Sequence, residues 1–169
     1  MRDGVPVPGS ARARLIEQAL VRFGARGFDD VGVTEIAEAA GVTVGSLYHH
    51  FVSKAGLYRA VRTDVERRVA DRMAGAAEVA DRPLAAALLV GFDYLTRVGY
   101  AGLIGERHPM PEPGMPDAIA AAVAELTGDD LVARLILAAW REALLAAAGD
   151  AGPLAARAAL ESTLASAGA

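Results

Sequence analysis

Cysteine is absent from the 169 residues. That excludes disulfides, thiolate metal sites and a cysteine nucleophile. Lysine is nearly absent: of seventeen basic residues sixteen are arginine, and Lys54 stands alone. Aromatics make up 5% of the chain, with a single tryptophan, Trp140. Apolar runs are broken by Arg, Asp or Glu before reaching the ~18 residues that a membrane-spanning helix needs. Residues 1–9 lack the apolar core of a signal peptide, so the expected location is the cytoplasm. There is no Gly-rich phosphate loop, no Gly-x-Ser-x-Gly elbow and no His-Glu-x-x-His, and no enzyme is expected. No cofactor or metal is expected either. His49 and His50 are adjacent, and neighbours on a helix point about 100° apart, which prevents shared ligation. Glu106 and His108 sit beside a Pro-rich stretch that reads as a solvated loop.

What is present is apolar: 53% of the residues are hydrophobic and 22% charged. This is a folding composition, sufficient for one sizeable core or two small ones. The net charge of −4 conceals an asymmetry. Residues 1–62 carry eight basic and six acidic groups, and the remainder carries nine basic and fifteen acidic groups. A positive head on an acidic body suits a protein that offers one end to a polyanion.

Nearly every segment reads as helix, because Ala and Leu dominate and period-two alternation is scarce. Residues 1–9, with Pro6, Pro8 and Gly9, read as a flexible arm. Ser10 caps a first helix with Leu15, Ile16, Ala19, Leu20 and Phe23 on one face, and Gly27 ends it. A short second helix turns Val33, Ile36, Ala37 and Ala40 inward and stops at Gly41. Thr43 caps a third helix that runs to about His50. Ser53 caps a fourth, along which Leu57, Val61, Val65, Val69 and Met73 recur every four residues. After Arg82-Pro83 comes an apolar helix through about Gly99 or Leu103. Prolines make residues 108–116 a loop. Helices over about 117–126, 129–148 and 154–165 complete an all-α chain.

Residues 34–54, TEIAEAAGVTVGSLYHHFVSK, carry the chemistry. Two short helices meet at a tight turn with Gly41; small Ala37 permits close approach, Val42 plugs the corner and Leu47 holds the second helix down. These are the physical requirements of a helix-turn-helix. The string Gly27-Phe28, Ile36-Ala37, Ala40-Gly41-Val42, Gly45-Ser46-Leu47-Tyr48, His50-Phe51 and Ser53-Lys54 with Leu57 resembles the TetR family of transcriptional regulators. The resemblance covers roughly residues 12–62.

It implies an N-terminal three-helix helix-turn-helix head at residues 10–53 and a helical ligand-binding and dimerisation body at residues 54–169. Tyr48, His50, Lys54 and Thr43 would meet phosphates of double-stranded DNA; Val44, Gly45, Ser46 and His49 would face base edges of a palindromic operator. Phosphate contacts fix orientation and groove contacts choose sequence. The family often has Ser or Thr where this chain has Gly32, which supplies no hydroxyl. That departure keeps open the alternative of a ligand-binding protein that has lost DNA binding. The family further implies a repressor, released when a small apolar or amphipathic effector enters the body, with Phe92, Tyr94, Leu95, Tyr100, Met110 and Trp140 as candidate contacts. A homodimer is expected through the last two helices, where Leu131, Leu135, Ala138, Ala139, Leu144 and Leu145 leave apolar surface on more than one side.

Overall fold

Ser10 and Thr43 each accept a hydrogen bond from the backbone N–H three residues on, Ala13 at 3.2 Å and Ser46 at 3.1 Å. These caps satisfy donors that a helix start leaves orphaned. They set the first and third elements of a computed structural model that describes residues 9–106 and 117–166. Residues 1–8, most of the expected arm, lie outside the described residues, as do His108 and Met110 with the whole expected 108–116 loop.

The chain divides into two compact units, Met1–Arg62 and Thr63–Ala169. The first holds α1 (Ala11–Arg26), α2 (Val33–Ala39), α3 (Val44–Phe51) and the first part of α4 (Lys54–Glu78). The division thus falls inside α4 and not at its start. Leu15, Ala19, Phe23, Ile36, Ala37, Leu47, Leu57 and Tyr58 are buried. Ile16, Leu20 and Val33, expected on inward faces, are only half-buried. Phe23, Phe28 and Tyr58 form an aromatic cluster, with Tyr58 edge-on to both phenylalanines at 5.0 and 5.1 Å between centroids. Such rings gain from edge-to-face contact beyond the area they bury.

The second unit contains the rest of α4, then α5 (Pro83–Val98), α6 (Ala101–Gly105), α7 (Ala118–Thr127), α8 (Asp130–Ala148) and α9 (Gly152–Ser166). The period-four stripe of α4 is buried along its whole length, Leu57 through Met73. The apolar stretch after Pro83 is two helices, because Gly99 adopts the left-handed conformation at φ 78°. There the Tyr100 N–H bonds the Leu95 carbonyl at 2.8 Å and the Gly99 N–H bonds that of Thr96 at 3.3 Å. This double closure caps the last free carbonyls of α5 and stops it. Asp117 and Asp129 cap α7 and α8 through their carboxylates.

Trp140 is fully buried, and its indole Nε1–H donates to the Leu88 carbonyl at 2.8 Å. Its ring packs where α5 has Gly91; a Cβ there would stand 3.1 Å from Trp140 Cζ2 and 3.2 Å from Met73 Cγ. Leu144 corrects an expectation: it is fully buried within its own unit and is no part of a free seam. The inward face of α8 is Ala133, Leu137, Trp140, Leu144 and Ala147, whereas Leu131, Val132, Leu135 and Leu145 are exposed.

Candidate nucleic-acid interface

The turn between α2 and α3 is closed by backbone bonds, Gly41 N–H to Glu38 O and Val42 N–H to Ala37 O, both 3.0 Å. Gly41 takes φ 63° there, a conformation that glycine adopts without steric cost. From α1, Arg14 Nε donates to the Ala40 carbonyl at 2.8 Å and fastens the turn.

Leu47 and Phe51 are the buried residues of α3. At 100° per residue, the opposite face is then centred on His49, with Gly45 and Ser46 beside it. Tyr48 and His50 stand on its two flanks. Gly45, Tyr48, His49 and His50 are exposed, as is Thr43 at the N-cap, while Val44 and Ser46 are half-buried. Of the residues expected to read bases, Gly45, Ser46 and His49 lie on this face, the crest, whereas Val44 falls toward the buried side; Tyr48 and His50, expected to hold phosphates, flank it as shoulders, and Thr43 stands at the N-cap.

Lys54 extends one shoulder from the first turn of α4. Its Nζ lies 4.4 Å from the Phe28 ring centroid and 3.4 Å from the Asp29 carbonyl oxygen. Ser53 caps that helix by accepting from the Gly56 N–H at 2.9 Å. Between α3 and α4, Val52 carries φ 64° and is 84% exposed. Three features of this surface were not expected from the sequence. Phe28 holds Lys54 through its ring face, Val52 occupies a backbone region that β-branched residues avoid, and Arg12 places its guanidinium 5.4 Å from the Phe51 ring. The Arg12 residue carried a signal only as one basic charge among eight in the head.

Gly32 is the N-cap of α2, extended at φ −87° and ψ 145°, with no side-chain cap bond. On the same helix Glu35 receives hydrogen bonds from Arg22 and Arg26 of α1. The Arg26 bond holds the Glu35 carboxyl below its ordinary range.

The residues expected around an effector are placed differently from one another. Phe92, Leu95 and Trp140 are buried in the packing of the second unit. Tyr94 is half-buried under the Arg72 guanidinium, 4.1 Å from its ring centroid. Tyr100 is half-buried, and burial, with Tyr94 adding to it, pushes its phenol up. Met110 lies outside the described residues. A cleft of about 470 Å³ between α7 and α8 is lined by Ala120, Ala121, Ala124, Asp130, Ala133, Arg134 and Leu137, none of them an expected effector contact. Among the described residues no three His, Asp or Glu side chains gather to hold a metal, and no helix is long and apolar enough to cross a membrane.

Residues 15–61 match the family of bacterial regulatory proteins, tetR family. Over 67 residues the chain is 43% identical to the HTH-type transcriptional regulatory protein RaaS of Mycobacterium tuberculosis, covering 40% of this chain and 31% of that protein. Over 57 residues it is 42% identical to the HTH-type transcriptional repressor KstR2 of Mycolicibacterium smegmatis, covering 34% of this chain and 28% of that one. The matched part thus spans about a third or less of these curated relatives. In fold the likeness is longer. The crystal structure of a TetR-family transcriptional regulator from Pectobacterium atrosepticum superposes with a TM-score of 0.70 at 20% identity, over 92% of this chain and 91% of that one. Residues 15–61 are a helix-turn-helix domain of the tetR family of bacterial regulatory proteins, and the chain that carries them has the fold of that family.

Proposed function

We propose that this protein is a DNA-binding transcriptional regulator that acts as a repressor on a palindromic operator. The observation that carries the reading is the layout of α3: Gly45, Ser46 and His49 on the crest, Tyr48 and His50 on the shoulders, and Lys54 just beyond. The test is fluorescence anisotropy on duplexes from the DNA upstream of the protein's own gene, over a range of salt. Affinity for one duplex well above that for random sequence, falling log-linearly with salt, supports the reading. Equal, weak affinity for all duplexes overturns it and favours the alternative, a ligand-binding protein of the same fold, for which the missing hydroxyl at Gly32 speaks.

The repressor works as a homodimer, in this reading, because half-sites of a palindrome call for two heads. Support comes from α8 and α9. On α8 the outward residues Leu131, Leu135, Ala138 and Ala139 are exposed; on α9 so are Leu154, Ala155, Ala158, Ala159 and Ala165. Release by a small apolar or amphipathic effector is proposed on the family resemblance. A thermal-shift screen tests it, since a ligand at ~100 times its dissociation constant adds about 2.7 kcal/mol.

A further inference from the structure

We infer that α8 pairs antiparallel with α8 of a second copy of this chain, with the two-fold axis at Ala138 and Arg134 of each copy paired to Glu142 of the other. The inference rests on the homodimer reading above and specifies its register.

Around Ala138 the exposed face of α8 carries two charges, while Asp130, also exposed, stands at the helix's N-terminal end beside the cleft against α7. Arg134 and Glu142 are both exposed, and neither is in an ion pair or a side-chain hydrogen bond among the described residues. They cannot reach each other along their own helix: eight residues at 1.5 Å each separate them by about 12 Å. The other arginine of α8 is committed, since Arg141 is bonded to Asp117 of α7. Arg134 is therefore the cation of α8 left available for Glu142.

The positions are symmetric about one residue. Arg134 and Glu142 stand four places before and after Ala138, and Leu131 and Leu145 stand seven places before and after it. In an isologous interface, residue i meets residue j and j meets i. A two-fold at Ala138 turns Arg134 toward Glu142 of the second copy and Leu131 toward Leu145, twice over. At the crossing point itself the side chain is a single methyl, exposed, which lets two backbones come close. Without the pairing, Glu142 would sit desolvated in the middle of a covered apolar face, a costly arrangement for a lone charge. Charge complementarity thus fits a second copy of this same helix in one register.

Sedimentation equilibrium of the full chain tests this with Arg134→Glu and Glu142→Arg. Each variant alone confronts like charges twice and should raise the dimer dissociation constant about tenfold or more, because juxtaposed like charges are disfavoured at interfaces. An equimolar mixture restores both pairs in the mixed dimer, so dimerisation should return to near the wild-type level. Both sites are exposed, and unchanged circular dichroism melts of the monomeric variants at low concentration would show that folding is not the cause. If the wild type is a dimer and the single variants dimerise as well as it does, or their mixture fails to recover, the register is wrong while the homodimer reading stands. If the wild type is a monomer at micromolar concentration, the homodimer reading itself falls and the register with it.

Discussion

Lys54 lies on the face of Phe28, its ammonium 4.4 Å from the ring centroid and 3.4 Å from the Asp29 carbonyl. A lysine side chain is otherwise a long, mobile stem, and fixing it costs rotamer entropy. Ring and carbonyl bear that cost before any DNA arrives, and the ammonium keeps donors for a phosphate. Lys54→Ala should weaken binding to every duplex and reduce the salt slope by about one. Phe28→Leu should weaken binding less, by the ~0.5–1 kcal/mol typical of an exposed cation–π contact. The two changes should be non-additive in a double-mutant cycle. Anisotropy titrations at several salt concentrations give all four corners. Full additivity would mean that the ring does not position the ammonium.

Val52 closes a three-residue turn in which the Ser53 N–H donates to the Phe51 carbonyl at 2.7 Å. With φ at 64°, a β-branched side chain is strained, and its 84% exposure means that no packing offsets the strain. Residues held in such regions cost on the order of 1–3 kcal/mol. Glycine removes that cost and returns part of it as unfolded-state entropy. Val52→Gly should therefore stabilise the protein by about 1 kcal/mol, read as a higher urea midpoint at unchanged m-value. A lower midpoint would show that the turn is not strained.

Glu35 links α1 to α2 through Arg26 and Arg22. Its folded pKa is lowered from an ordinary 4.5, chiefly by the Arg26 hydrogen bond. A depressed carboxylate contributes stability that is fully present above its unfolded value and is lost as pH falls through the folded one. Glu35→Gln should lower stability at neutral pH and match the wild type once pH is well below 4.5. Urea melts of both proteins across that window check the sign. Because the pair is exposed, the difference should also shrink in high salt.

Most of the fold was legible because its punctuation is local. Ser10, Thr43, Ser53, Asp117 and Asp129 cap helices where residue type alone places caps, and Gly27 and Gly41 accept positive φ where a helix or a turn stops. On α3 the inward side was legible at Leu47, but that Phe51 shares it, which turns Val44 toward the buried side, shows only in the structure. Less legible was anything set by packing between distant segments. Leu144 and Leu145 look alike in sequence, yet Leu144 is fully buried and Leu145 is exposed, because the rotation of α8 is fixed by Trp140 reaching the Leu88 carbonyl 52 residues away. Trp140 itself was expected beside an effector; its indole is engaged with α5. Nor could composition foretell that Phe28 would meet Lys54, since the two stand 26 residues apart in the chain and on different elements.

Gly32 offers a change that separates stability from DNA binding. It is the N-cap of α2 in an ordinary extended conformation, φ −87° and ψ 145°, and a Cβ added there meets nothing within 4 Å. Nothing in the backbone requires glycine. A serine hydroxyl at this position can accept from the free N–H groups of the first turn, as Ser10 and Thr43 do for α1 and α3. Exchanging glycine for serine at an N-cap is worth only a few tenths of a kcal/mol, so Gly32→Ser should raise the melting temperature slightly. If the hydroxyl that the family often carries at this position also meets a DNA phosphate, DNA affinity should rise more than stability does, and equally for all sequences, because a phosphate contact carries no sequence information. Thermal melts and anisotropy titrations on the same preparations decide between the outcomes. A stability gain without an affinity gain would assign position 32 to helix capping alone. A loss of affinity would mean that the Gly32 backbone itself approaches the DNA too closely to admit a side chain.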